Sequence, residues 1–176
     1  MTTTVDRLTR LVRDVPDFPL PGIAFRDITP LLADADALAD TVRGLAEPWA
    51  GTGITGVVGI EARGFIVAAP VALHLRTGFA PVRKAGKLPW KVARETYELE
   101  YGTDTLEIHA DALASGDRVL VVDDVLATGG TAAATIRLVE GLGAEVVGVA
   151  VIIELAALGG RDRLQGRDVR ALVTDR

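Results

Sequence analysis

The sequence predicts an α/β domain, a Rossmann-like parallel sheet flanked by helices, and three observations carry that prediction. Short Val- and Ile-rich runs recur at 56–60, 118–122 and 146–153. Their near-continuous hydrophobicity is the pattern of parallel strands covered on both faces. Apolar residues at helical spacing fill the stretches 64–75 and 130–142 between them. Strands alternating with helices in this way build a parallel sheet.

The elements follow in order. Residues 5–12 carry Val5, Leu8, Leu11 and Val12 at helical spacing, and DFPLPG at 17–22 stops that helix because Pro19 and Pro21 cannot continue it. A second helix is expected over 36–49, with Leu38, Val42 and Leu45 as its apolar stripe. Further strands are expected at 79–82 and, more weakly, at 169–173. RKAGKL at 83–88 is a basic, glycine-containing loop, and 97–101 with 105–109 alternate as a strand pair around Gly102. Gly143 ends the helix over 130–142. No repeat, low-complexity tract or linker divides the chain, so residues 1–176 are expected to form a single domain.

Composition narrows the function classes. Apolar residues make up 49 % and charged residues 24 %, which fits a folded core and not a disordered chain. The net charge of −5 gives no basic field for a nucleic-acid backbone, so no nucleic-acid partner is expected. No apolar run reaches membrane-spanning length, and no signal core opens the chain. There is no cysteine, hence no disulfide or thiolate metal site. A cytoplasmic protein is expected.

The stretch that carries chemistry is VLVVDDVLATGGT at 119–131. A buried strand meets two adjacent acids, then a small turn, then a helix. Gly129 and Gly130 let a ligand approach the backbone. Thr128 and Thr131 add hydroxyls, and the helix that follows presents free N–H groups and a partial positive charge. Phosphate fits there, although neither GxxxxGK[ST] nor GxGxxG is present. The carboxylates of Asp123 and Asp124 suit the vicinal hydroxyls of a sugar, and a hard cation such as Mg²⁺ can share their site. A ribose 5-phosphate group satisfies both halves.

VVDDVLATGGTA resembles the signature of the type I phosphoribosyltransferases, which bind phosphoribosyl pyrophosphate. The resemblance covers nearly the whole chain, because DFPLPGIAFRDITPLL, GIEARGF, VRKAGKLP, YELEYG and IELAALGGRDRL stand in the order found in the adenine-using branch of that family. It implies the type I phosphoribosyltransferase fold, with a small hood over about residues 1–35 and a mobile catalytic lid over about 84–103. It also implies the reaction of adenine with phosphoribosyl pyrophosphate to give AMP and pyrophosphate, with Mg²⁺ near Asp123 and Asp124 and a homodimeric assembly. Phosphoribosyl pyrophosphate would be held by Asp123, Asp124, Ala127, Thr128, Gly129, Gly130 and Thr131. It would also be held by Glu61, Ala62 and Arg63, with a cis peptide between the first two, and by Arg83, Lys84 and Lys87 of the basic loop. Ala85 stands where some relatives carry a further basic residue.

The same resemblance assigns Glu100 to proton movement on the purine, and Arg63 and Lys87 to the departing anion. Ala24, Phe25, Arg26 and Leu155 would bind adenine, Phe25 by stacking and Leu155 as an apolar wall. On pattern alone other readings stand: Arg63 as a solvated arginine, the 83–89 loop as a solvated basic turn, Glu98 and Glu100 as outward-facing strand residues, and Phe25 as a core aromatic. A transferase for another purine, or a nucleotide-sensing regulator on the same fold, are the competing functions.

Overall fold

The computed structural model describes residues 4–98 and 102–175. Helix α1 (Thr4–Arg10) leads into a two-stranded antiparallel pair, β1 (Arg13–Val15) with β2 (Phe25–Asp27). Next come α2 (Thr29–Ala33) and α3 (Ala35–Ala46), the latter capped by Asp34 Oδ1, which accepts the Ala37 N–H at 2.8 Å. The helix expected over 36–49 keeps its whole apolar stripe but ends at Ala46, because Pro48 turns Glu47–Trp49 into a single 3₁₀ turn. Trp49 still reaches the core and is 2 % exposed.

Strand β3 (Gly56–Ile60), helix α4 (Gly64–Leu75) and strand β4 (Gly78–Lys84) follow as a βαβ unit. Then come β5 (Val92–Glu98), β6 (Thr103–His109), β7 (Arg118–Leu126), α5 (Gly130–Gly141), β8 (Glu145–Leu155) and β9 (Asp168–Asp175). Seven strands form one sheet in the order β5-β6-β4-β3-β7-β8-β9. The five from β4 to β9 are mutually parallel, while β6 joins β4 antiparallel and carries β5 antiparallel at the edge. The sheet is therefore mixed: the expected parallel core carries an antiparallel arm.

Alternation along the central strands divides the core into two layers. Val58, Ile60, Val119 and Val121 face α5, where Ile136, Leu138 and Val139 pack on them. Val57, Leu120 and Val122 face the opposite way, onto Leu45 and Trp49 and onto Val67 and Val71 of α4. Each such side chain, at or near zero exposure, contributes about 1.5–3 kcal/mol of transfer free energy. Covering both faces explains why these strands read as unbroken apolar runs.

Two further expectations change. Strand β7 continues through Asp123 and Asp124 to Leu126, pairing Asp123 with Val151 and Leu126 with Glu154 of β8. The acids are thus on a strand end and only Ala127–Gly129 form the turn. The span 84–103 expected as a lid is not uniform: Lys84 ends β4, and 92–98 is an edge strand paired with β6 along seven residues. Tyr97 of that strand is buried in the core. No helix among the described residues is long and apolar enough to cross a membrane.

Candidate active site

The strand order fixes where a ligand fits. From β3 the chain runs to β4 on one side, whereas β7, β8 and β9 extend the sheet on the other. The order reverses between β3 and β7, and ligands of open α/β sheets lie beyond the strand ends at such a point. The residues after β3, after β7 and at the end of β8 therefore stand side by side. They are 61–63, 127–131 and Leu155 with the turn beyond it.

The turn after β7 is shaped by backbone contact. Gly129 has φ +79° and opens α5, which has no side-chain cap at its N-terminus. Its first N–H groups are left for a ligand. A Cβ on Gly129 would lie 2.4 Å from the Gly160 carbonyl oxygen, and one on Gly160 would lie 2.1 Å from that of Ala127. No side chain fits between these two segments. The Gly160 turn therefore buttresses the phosphate turn from behind. A small pocket at the turn is lined by Asp123 and residues 127–131, with Ile60, Val121, Val149 and Val151 as its apolar floor.

The two acids differ. Asp124 is 5 % exposed, and its Oδ2 lies 2.7 Å from Arg63 Nε without a hydrogen-bonding approach, so the oxygen accepts no hydrogen bond. Asp123 Oδ1 accepts the Asp124 N–H at 2.9 Å. Burial, then the adjacent Asp124 charge, push the Asp123 carboxyl well above the usual aspartate range. Gly64 has no room for a side chain, since a Cβ there would sit 2.6 Å from Asp123 Oδ1. That close approach seats the 61–63 loop directly against the acids.

Arg63 also stacks 4.6 Å from the centroid of the Phe25 ring, against which Phe18 packs edge-on at 5.1 Å. Phe25 is half-buried at the cleft wall, so it is a pocket residue and not the core aromatic that its pattern alone predicts. Arg63 bridges the base side and the acid side of the cleft. The Glu61–Ala62 peptide is cis, in agreement with the resemblance.

The basic segment converges on one carboxylate. Glu61 accepts Arg83 Nε at 3.1 Å and the Lys84 N–H at 3.0 Å, and it pairs with Lys87 Nζ. Burial alone would raise the Glu61 pKa; the bonds from Lys87, Lys84 and Arg83 outweigh it and hold the carboxyl below its ordinary value. Lys84 Nζ turns instead to Asp104 at 3.1 Å. Sequence reasoning passed over Glu107, which is 1 % exposed and accepts the Gly86 N–H at 2.9 Å and Arg94 Nε at 2.7 Å. Alternation along β6 would turn Glu107 outward, away from Leu106 and Ile108, so its burial has no signal in the strand pattern. Glu100 lies outside the described residues.

The base side of the cleft is lined by Ala24, Phe25, Arg26 and Leu155, all four residues expected there, together with Ile23 and Leu158. The Arg26 side chain points away to an anchor, donating from Nε to Asp175 Oδ2 at 2.8 Å and pairing with Asp14. Leu155 is the last residue of β8, and the turn beyond it is clamped by Arg161. Arg161 Nε donates to Glu154 Oε1 at 2.8 Å and Arg161 Nη1 to the Val169 carbonyl at 2.7 Å.

No group of three or more acidic, His or Cys side chains suited to a metal exists among the described residues. Asp123 and Asp124 still fit Mg²⁺, which takes one or two carboxylates and completes its shell with substrate oxygens and water. Asp124 Oδ2, which accepts no hydrogen bond and is only ion-paired with Arg63, is an oxygen suited to that use once Arg63 turns to the substrate.

Residues 27–172 match the model of the phosphoribosyl transferase domain. The chain therefore belongs to the phosphoribosyltransferases. Within them it belongs to the adenine phosphoribosyltransferase family. It is 55 % identical over 175 residues to the adenine phosphoribosyltransferase of Thermobifida fusca, covering 99 % of both chains. The crystal structure of that of Rhodothermus marinus superposes with a TM-score of 0.95 at 53 % identity, over 99 % of this chain and 100 % of the other. The Saccharomyces cerevisiae enzyme, solved with adenine and an imino-altritol bisphosphate, gives 0.91 at 38 %, over 98 % and 99 %.

Proposed function

We infer that the protein transfers the phosphoribosyl group of phosphoribosyl pyrophosphate to adenine, giving AMP and pyrophosphate in purine salvage. The observation that carries this is the juxtaposition, in one cleft, of the acidic pair and phosphate turn with the Phe25–Leu155 slot. A sugar-phosphate half and a planar apolar half meet there, in a chain of the adenine phosphoribosyltransferase family.

In this reading the 5-phosphate binds the N–H groups of 129–131 and the Thr128 and Thr131 hydroxyls. Asp123 and Asp124 accept from the ribose 2- and 3-hydroxyls and stabilise positive charge developing on the ring. Adenine stacks on Phe25 against Leu155, with backbone groups of Ala24 and Arg26 reading its edge. Purine N9 attacks the anomeric carbon as the bond to pyrophosphate breaks, with inversion. The purine imidazole ring loses one proton as N9 bonds, Glu100 assists its removal, and the pyrophosphate carries away the electron pair of the broken bond. Arg63 and Lys87 stabilise that anion after exchanging their contacts with Asp124 and Glu61 for its oxygens. Glu61, Ala62, Arg83 and Lys84 complete the pyrophosphate side. Mg²⁺ bound beside Asp123 and Asp124 would neutralise pyrophosphate charge.

Residues 85–91, which belong to no strand and are tied down at their ends by Ala85, Gly86 and Lys91, are the described part of 84–103 that would act as a lid excluding water. The reading includes a homodimer, supported by the exposed apolar residues Ile66 and Leu73 of α4 and Phe79 of β4. It also includes a cytoplasmic location, with which a cysteine-free chain is compatible.

A base panel with phosphoribosyl pyrophosphate and Mg²⁺ tests the assignment. Pyrophosphate release is expected with adenine and far less with hypoxanthine, guanine, xanthine or orotate. Equal turnover of hypoxanthine would overturn it.

A further inference from the structure

Tyr97 has no place in the mechanism above, yet it joins two parts of the site. It lies on β5, three residues before Glu100, and is 8 % exposed. Its phenol oxygen is 3.2 Å from Thr131 Oγ1 in the first turn of α5. Its ring lies against Gly130, 3.5 Å from where a Cβ on that glycine would be. Arg137 of α5 pairs with Glu95 of the same strand, so β5 is docked on the helix that carries the phosphate turn.

The hydroxyl chemistry gives this contact a direction. Thr131 Oγ has one hydrogen and two acceptor positions. If it donates to Tyr97, that hydrogen is not available to a phosphate oxygen. If it donates to phosphate, it can still accept from the Tyr97 O–H, and each bond then polarises the other. A bound phosphate thus selects one arrangement: Tyr97 donates to Thr131, and Thr131 donates to phosphate. The Thr131 carbonyl is already taken by the Thr135 hydroxyl at 2.9 Å, which holds the first turn of the helix in place.

We propose that Tyr97 is a positioning residue that couples occupancy of the phosphate turn to the strand leading into residue 100. The proposal rests on the reading of 127–131 as the ribose 5-phosphate site. With phosphate bound, β5 is tied through Tyr97 and Thr131 to the ligand; without it, the same contact has no fixed donor and holds the strand less firmly.

The test is a double-mutant cycle read by calorimetric binding of ribose 5-phosphate, which contains neither base nor pyrophosphate. Tyr97→Phe removes the hydroxyl and keeps the ring. It is expected to weaken binding about threefold to tenfold, the range for one hydrogen bond. In the Thr131→Val background the same change is expected to do less than about twofold, since its partner is gone. In the Thr131→Ser background, which keeps the hydroxyl, the full effect should return. Hydrogen exchange across 92–98 is the second readout: ribose 5-phosphate should slow it in the wild type and not in Tyr97→Phe. Equal loss in the Val and Ser backgrounds, or equal slowing in both proteins, would overturn the coupling. If the wild type itself fails to bind ribose 5-phosphate, the phosphate-site reading falls instead, and the base panel judges the adenine assignment separately.

Discussion

The contact between Gly129 and Gly160 allows its two components to be measured apart, using three Gly→Ala substitutions. Gly166 has φ +81°, and a Cβ there would meet no atom within 4 Å, so Gly166→Ala carries conformational cost alone, about 1–2 kcal/mol. Gly160 is outside the left-handed region, but its Cβ would stand 2.1 Å from the Ala127 carbonyl oxygen. Gly160→Ala therefore carries overlap alone, about 1–3 kcal/mol for a forced shift in a packed region. Gly129→Ala carries both, with φ +79° and a Cβ 2.4 Å from the Gly160 carbonyl, and is expected to cost about 2–5 kcal/mol.

Urea unfolding reads the stability loss, and steady-state kinetics read where strain is released. If the phosphate turn moves to relieve the overlap, part of the cost appears as a higher KM for phosphoribosyl pyrophosphate, about tenfold for each 1.4 kcal/mol. KM for adenine should move less, because Phe25 and Ala24 lie on another segment. Gly129→Ala no worse than Gly166→Ala in both readouts would refute the buttress.

Further predictions concern charge. Asp123→Asn is expected to raise stability while lowering turnover. The raised pKa means that the folded state resists ionising Asp123, so wild-type stability falls as pH rises from about 3.9 towards that raised value. Asparagine removes this fall and keeps an oxygen for the Asp124 N–H; a melting temperature about 2–4 °C higher per kcal/mol at neutral pH checks it. Glu154 has the opposite sign, because bonding to Arg161 lowers its pKa. Its contribution is present above about pH 4.3 and is lost as pH falls through the lower native value. Glu154→Gln should cost about 1–3 kcal/mol, less than for a fully buried pair since Arg161 is half-exposed, and should flatten the acid limb of a urea-midpoint profile.

The sequence made most of the layered core legible because its signals are local. Strand β3 and helix α4 stand where apolar runs and spacing place them, and the base-side residues 24–26 and Leu155 line one cleft. The extension of β7 through Asp123 and Asp124 was hidden because charge ends a hydrophobic run while the ladder to β8 continues. Strands β1 and β2, three residues each, are too short to show a period. Glu107 and Tyr97 were illegible for a different reason. Their roles depend on Gly86, Arg94 and Thr131, which only tertiary pairing brings to them.

The pair between Arg26 and Asp175 spans 149 positions of the chain. This has a consequence for synthesis on the ribosome, where the chain emerges from its N-terminus. The phosphate turn has its neighbours once β8 and the Gly160 turn are out. The strand bearing Phe25 can pair at once with β1 and Asp14, but it waits 149 residues for the Asp175 half of its anchor. A nascent chain halted before β9 would have the means to hold a sugar phosphate and lack the tether that fixes the base side.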